Sequence, residues 1–181
     1  MRPSFPFLAL SLFLFPVFTF HLTTGTNLIN ETCRNSSQND PNVNYNFCVA
    51  SLKAAPDSHC ASLRHLGLIS IRLIRYNATN TRCYIKELLK NTKLDPYVKQ
   101  CLTDCLDLYS DAIPTLKEAM LDYRAKNFTD ANMEISAAMD ASTTCEDGFV
   151  QEDGVVSPLT KRNNDTFQLS AIALSIINMV H

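Results

Sequence analysis

A pair of long apolar stripes with helical spacing constrains the fold of this chain more than any other feature. The first stripe runs from Leu102 to Tyr123 and the second from Phe128 to Phe149, and in both the apolar or small residues recur at alternating steps of three and four. Such steps place the residues on one face of an α-helix. Because only residues 124–127 separate the stripes, the sequence predicts two antiparallel helices joined by a short loop.

This predicted hairpin sets its own register, because positions equally far from the loop face each other. Tyr123 should oppose Phe128, and the same register brings Cys105 opposite Cys145. A disulfide between these cysteines would close a loop of about 40 residues and stabilise the fold by roughly 4 kcal/mol. Pro114 lies inside the first helix and should kink it or remove one hydrogen bond.

The rest of the chain also has helical patterns, and no strand pattern stands out. A helix is expected from an N-cap at Asp57-Ser58 to a turn near residues 91–93, and its polar segment 77–82 is either a solvated face or a local break. The last helix, residues 165–180, is apolar on nearly all sides and should be well buried. With the central hairpin, these helices predict an all-α, up-down-up-down four-helix bundle over residues 57–181.

Two shorter helical pieces precede the bundle within residues 26–56, at roughly 26–38 and 42–52. Cys33 and Cys48 flank the break between them, and a disulfide there would clip the pieces into a small α-hairpin. So short a hairpin would not be stable without the cross-link.

The N-terminal residues 1–25 have the pattern of a secretory signal peptide: a basic start, an apolar run and a small-residue end. The mature domain then spans residues 26–181. A retained membrane anchor is the rival interpretation of the first segment, and a glycolipid-anchor signal is the rival interpretation of the last. Five Asn-x-Ser/Thr sequons fit a secreted, extracellular glycoprotein, and they begin at Asn30, Asn35, Asn77, Asn127 and Asn164.

Secretion makes the seven cysteines disulfide candidates. Cys83 and Cys101 are about equally distant from the turn that joins their helices, so they are the candidate third bridge. Cys60 is left over as a free thiol, either buried or available to a partner. The chain is expected to be a monomer, with a Cys60-linked dimer as the alternative.

No constellation of residues indicates catalysis, a cofactor or a metal ion. His59 and Cys60 are neighbours in sequence and do not face each other on a helix. Asp104, Asp107 and Asp111 share a helix face that could hold a cation, although such faces are usually solvated. The net charge of −2 leaves no basic surplus for nucleic acid. We therefore predict a protein that is not an enzyme, and that uses neither metal nor cofactor.

Several segments together resemble the plant invertase and pectin methylesterase inhibitor family. They are Asn-Tyr-Asn-Phe-Cys at 44–48, Asp-Cys-Leu-Asp-Leu-Tyr-Ser-Asp-Ala at 104–112 and Thr-Cys-Glu-Asp-Gly-Phe at 144–149. The resemblance implies a short N-terminal α-hairpin, a four-helix bundle and four cysteines paired first to second and third to fourth. It also implies non-covalent, one-to-one inhibition of an extracellular enzyme, either an acid invertase or a pectin methylesterase.

The resemblance also identifies candidate target-binding residues in the loop between the two stripes. Invertase inhibitors of the family insert a Pro-Lys-Phe tripeptide from this loop into the target, and this chain has Lys126, Asn127 and Phe128 instead. The proline of the family tripeptide is missing here, and Asn127 opens a sequon at which a glycan would obstruct insertion. Phe128 also begins the second stripe. Pectin methylesterase inhibitors of the family bind through a polar bundle surface instead. An extracellular helical binding module without inhibitory activity is the alternative function.

Overall fold

The computed structural model describes residues 20–181, with side chains from residue 27 onward. Within this part the chain is all-α, which confirms the predicted fold class of a four-helix bundle preceded by an α-hairpin. The predicted signal peptide, residues 1–25, lies outside the described side chains. The helices are α1 (Phe20–Asn39), α2 (Tyr45–Ala54), a short 3-10 helix (Pro56–Cys60), α3 (Leu63–Leu88), α4 (Pro96–Ala125), α5 (Phe128–Phe149) and α6 (Thr160–Val180).

Helices α3 to α6 form the bundle, and each packs on two neighbours. Helix α4 contacts α3 and α5, and α6 contacts α3 and α5, so that α3 and α5 lie diagonally across the bundle. Helix α6 buries residues on most sides, as its apolar pattern predicts. No helix among residues 20–181 is both long and apolar enough to cross a membrane.

The α4–α5 hairpin has the register that its two stripes predict. The residues from Leu102 to Tyr123 that form the first stripe are all buried. Cys105 and Cys145 form a disulfide with their Cα atoms 4.9 Å apart. Helix α4 continues through Pro114, whose side of the helix faces solvent.

The N-terminal hairpin packs against one end of the bundle through a second apolar cluster. The disulfide between Cys33 and Cys48 joins α1 to α2, with 5.7 Å between the Cα atoms. Around it the buried side chains of Ile29, Leu52 and Ile172 bring α1, α2 and α6 together. The apolar core of the hairpin is therefore shared with the bundle, because α6 supplies part of it.

Two predicted helix starts are wrong. Asp57 and Ser58 lie in the 3-10 helix, and α3 begins later, where the Ser62 hydroxyl accepts a hydrogen bond from the His65 N–H. Helix α6 begins at Thr160, five residues before the predicted start at Asp165. The Ser62 cap sets the start of α3. Leu159, the residue before α6, makes no side-chain capping bond, and Thr160 and Asn163 in the first turn donate hydrogen bonds to Glu146. Helix α3 also runs unbroken through residues 77–82.

The predicted disulfide between Cys83 and Cys101 is wrong, and both thiols are free. Cys101 is buried and its Sγ donates to the Gly148 carbonyl of α5 at 3.4 Å. Cys83 lies two residues from the buried Thr81 and Ile85, on the exposed side of α3. Equal distance from the turn places the two cysteines at the same level along the bundle axis. Their side chains point in different directions, because each residue is rotated about its helix axis relative to the next. Cys60 is free and exposed.

A polar network crosses the centre of the bundle. The Tyr109 hydroxyl donates to Asn163 Oδ1 at 2.7 Å and lies 3.2 Å from Thr166 Oγ1. Thr166 donates to Asn77 Oδ1 at 2.8 Å, and Asn163 donates to Glu146 Oε2 at 2.6 Å. Burial raises the pKa of Tyr109 to about 12, so its hydroxyl stays protonated and available as a donor. The network joins all four bundle helices and fixes their relative heights.

Candidate functional site

The tip of the α4–α5 hairpin places a lysine in a backbone conformation that usually requires glycine. Lys126 has φ 68° and ψ 19°, the left-handed region, and is the only residue other than glycine with positive φ in the described part of the chain. Its N–H donates to the Tyr123 carbonyl, and the next N–H donates to the Asp122 carbonyl. These two bonds form a Schellman motif, in which glycine normally occupies this position. The side chain of Lys126 is exposed.

The two residues after Lys126 are held by side-chain contacts. Asn127 is exposed, and its Nδ2 donates to Asp122 Oδ1 at 3.1 Å. Phe128 is half-buried, with its ring edge-on to Tyr123 at 5.4 Å and to His181 at 5.9 Å between centroids. Phe128 thus occupies its stripe position while the loop candidates Lys126 and Asn127 project to solvent.

Tyr123 connects this tip to the start of α3. Its buried hydroxyl donates to the Arg64 carbonyl at 3.0 Å, and burial raises its pKa to about 12. A Cβ added at Gly67 would lie 2.1 Å from the Tyr123 hydroxyl oxygen, so only glycine leaves room for this ring. The sequence pattern marked neither Gly67 nor Arg64, because it carries no information about which helix face meets Tyr123.

Three cations lie near the tip, beside the carboxylate of Asp122. The Arg64 guanidinium donates to the Arg124 carbonyl at 3.0 Å, which brings both side chains to the same end of the bundle as Lys126. A shallow groove of about 300 Å³ lies beside them, lined by Ser62, Arg64, His65, Leu68, Tyr123 and Arg124. We define Arg64, Arg124, Lys126 and Asn127 as the hairpin tip.

A second surface, along α4 and α5, is acidic. Helix α5 carries five acidic residues and no Lys or Arg. Asp104, Asp107 and Asp111 are exposed on α4, and Asp111 lines a shallow groove of about 310 Å³ between the two helices, with Leu108, Ala112, Thr115, Ala137, Asp140, Ala141 and Thr144. No group of three or more acidic, His or Cys side chains among the described residues is placed to hold a metal ion.

Glu134 of α5 should make the stability of the protein depend on pH. Burial raises its pKa, and the carboxylates of Asp122, Glu118 and Asp130 raise it further. The folded state therefore binds the Glu134 proton more tightly than the unfolded state, and stability falls as pH rises from the unfolded value near 4.3 through the raised pKa. We expect Glu134→Gln to reduce the loss of stability as pH rises above about 4.3, measured by urea denaturation. An unchanged pH dependence would contradict this interpretation, and Asp140→Gln on the same helix is the control.

The five sequons differ in their surroundings. Asn35, Asn127 and Asn164 are exposed, whereas Asn30 and Asn77 are half-buried. Asn77 accepts the hydrogen bond from Thr166 in the central network. Exposure favours glycan attachment at Asn35, Asn127 and Asn164. Glycosylation of all five sequons stays a prediction.

Comparisons with known proteins agree on one group of relatives. Residues 27–176 match the family described as "Plant invertase/pectin methylesterase inhibitor". A "putative invertase inhibitor" of Platanus acerifolia is 44% identical over 86% of this chain and 87% of that protein. Pectinesterase inhibitor 12 of Arabidopsis thaliana is 33% identical over 94% of this chain and 97% of that protein. A solved pectin methylesterase inhibitor of Arabidopsis thaliana superposes with a TM-score of 0.61 at 26% identity, over 86% of this chain and 97% of that chain.

Proposed function

Because the chain belongs to the plant invertase/pectin methylesterase inhibitor family, we propose that it blocks a plant cell-wall acid invertase or pectin methylesterase by non-covalent, one-to-one binding. Membership of this family identifies the chain as an enzyme inhibitor rather than an enzyme. Its partner is therefore a protein. We propose the extracellular space as its location, on the predicted signal peptide of residues 1–25.

The observation that carries the proposed contact site is the left-handed conformation of Lys126. A residue other than glycine costs about 1 kcal/mol in this conformation, and such strained positions cluster at functional sites. A lysine that serves only the fold would be better replaced by glycine. The exposed ammonium group at this strained position supports a role for Lys126 in binding.

The charge of the hairpin tip fits an acid invertase in particular. Enzymes that cleave glycosidic bonds generally use a pair of carboxyl groups in their active-site cleft. The cations of Arg64, Arg124 and Lys126 are complementary in charge to such carboxyl groups. We propose that Lys126 contacts the target carboxylates, and that Phe128, held between Tyr123 and His181, braces the tip.

A pectin methylesterase is the second candidate target, and the acidic α4–α5 surface is then the contact. This alternative is favoured by the absence of any Lys or Arg from α5 and by relatives whose names describe pectinesterase inhibitors. It would leave the hairpin tip without a role in binding. A basic rim on the target enzyme is the feature that this surface would recognise.

The proposal is tested by titrating the purified, glycosylated protein against an acid invertase and a pectin methylesterase at apoplastic pH. Inhibition of the invertase supports the hairpin tip as the contact. Inhibition of the pectin methylesterase alone would assign the contact to the acidic α4–α5 surface. If neither enzyme slows at micromolar protein, the chain is a non-inhibitory binding module. Thr129→Ala removes the sequon at Asn127 without changing Asn127 itself, and so shows whether a glycan at the tip limits inhibition.

Lys126→Gly separates the two roles of this residue. Glycine relieves the left-handed strain, so we expect the free energy of unfolding to stay unchanged or rise by up to about 1 kcal/mol. Inhibition should weaken by at least about tenfold, because the central cation of the tip is lost. Enzyme assays and urea denaturation of the same preparation measure both effects. Lys99→Gln, at the other end of α4, is the control that removes the same charge. Glutamine is used there because glycine would destabilise the helix. Full inhibition by Lys126→Gly would contradict the proposal that Lys126 of the hairpin tip contacts the target enzyme.

A further inference from the structure

The outward face of α3 carries a row of cations that the proposed inhibitory contact does not use. Arg72, Arg75, Thr79, Arg82 and Lys86 follow one another at steps of three and four, so they lie on one face of the helix. Arg72, Arg75 and Lys86 are exposed and Arg82 is half-buried. From Arg72 to Lys86 the row is about 21 Å long at 1.5 Å per residue. We call these five residues the α3 stripe.

Most of these cations have no partner within the protein. Arg72 forms a salt bridge with Asp57 at 3.2 Å. Arg75, Arg82 and Lys86 form no salt bridge with any side chain described between residues 27 and 181. The Nε of Arg82 is buried and has no hydrogen-bond partner there. The row is therefore open to an anionic ligand rather than neutralised by the fold.

The charge of the bundle is divided between opposite sides. Helix α3 has five Lys or Arg residues and one acidic residue, whereas α5 has five acidic residues and no cation. Because α3 and α5 are diagonal in the bundle, the acidic side faces away from the α3 stripe. A polyanion can approach α3 even though the chain has a net charge of −2.

Two tyrosine rings lie beside the cations. Tyr76 of α3 is 69% exposed, an unusual position for a ring of this size. Tyr84 carries the Arg162 guanidinium over its face at 4.2 Å, which adds a cation on the α6 side of the stripe. An exposed tyrosine ring offers a flat apolar face on which the C–H face of a sugar ring can pack.

We propose that the α3 stripe binds an acidic polysaccharide, a linear chain of uronate units with free carboxylates. Arginine pairs with carboxylates through two parallel hydrogen bonds, and a row one cation wide matches a single polymer strand. A nucleic acid duplex needs a broader basic surface, and the stripe lacks the apolar side chains with which a helix enters a membrane. The stripe and the hairpin tip are separate surfaces, so the polymer would hold the inhibitor in the wall while the tip remains free.

The test compares binding of the full chain to polygalacturonate and to the same polymer fully methyl-esterified, at low salt. We expect binding to the acidic polymer only, weakening as salt is added because condensed counterions are released on binding. Arg75→Gln/Arg82→Gln should weaken it by about tenfold. Arg34→Gln/Lys53→Gln on the N-terminal hairpin removes the same charge and should leave the affinity within about twofold. Enzyme inhibition should be unchanged in both variants.

Three results would overturn the proposal. Equal binding of the esterified polymer would mean that the carboxylates are not recognised. Equal loss of affinity in the two double variants would mean that net charge, and not the α3 stripe, controls binding. Tighter binding to an RNA duplex or to phosphatidylserine vesicles would assign the stripe to another polyanion. Inhibition is measured separately, so failure of this proposal is distinguishable from failure of the proposed inhibitory function.

Discussion

Removing the disulfide of the α4–α5 hairpin, by Cys105→Ala/Cys145→Ala, should lower the free energy of unfolding by about 4 kcal/mol. The disulfide joins positions 40 residues apart, and this cross-link restricts the unfolded chain far more than the folded one. Both sulfur atoms are buried, so alanine avoids the cost of burying a hydroxyl group. Such a loss is a large part of the stability of a domain of this size.

The measurement is urea denaturation of the double variant beside the unchanged protein. Cys60→Ala and Cys83→Ala remove exposed free thiols and should change the free energy of unfolding by less than about 0.5 kcal/mol. A double variant as stable as the parent would show that the helix packing alone constrains the hairpin.

Gly67→Ala should destabilise the protein by about 2 to 3 kcal/mol, although alanine is the better helix former. The new Cβ would meet the Tyr123 ring at 2.1 Å from the hydroxyl oxygen and 2.6 Å from Cζ, with Ile176 at 3.1 Å. The ring cannot easily move, because its hydroxyl donates to Arg64 and its edge packs on Phe128. The change should therefore also disturb the hairpin tip.

Gly148→Ala is the matched control for this experiment. Gly148 lies in α5, and a Cβ there would meet no atom within 4 Å. We expect this variant to be as stable as the parent or more stable, by up to about 1 kcal/mol. If Gly67→Ala is no less stable than Gly148→Ala, the close contact between Gly67 and Tyr123 does not constrain the fold.

The sequence predicts the α4–α5 hairpin well because its periodicity is local and its loop is short. Every position of the first stripe is buried, and the pairing of Cys105 with Cys145 follows from distance to the loop. The same distance argument failed for Cys83 and Cys101. The position of a residue along a helix does not say which way its side chain points around the helix axis. The apolar pattern of α3 is too mixed to identify the face on which Cys83 lies.

Features that depend on partners from distant helices could not be predicted. Tyr109 belongs to an apolar stripe, but its hydroxyl partner Asn163 lies 54 residues away on α6. The hydroxyl of Thr160, the first residue of α6, likewise finds its partner Glu146 on another helix, 14 residues away. The strain at Lys126 is also invisible in the sequence, because an ordinary lysine can end a helix in several conformations.

The most direct test of the central claim is amide hydrogen exchange of the protein, alone and in complex with the enzyme that it inhibits. We predict added protection at residues 122–130, around the hairpin tip, with α3 beyond Arg72 unchanged. Protection along α5 without protection at the tip would contradict the claim and assign the contact to the acidic surface.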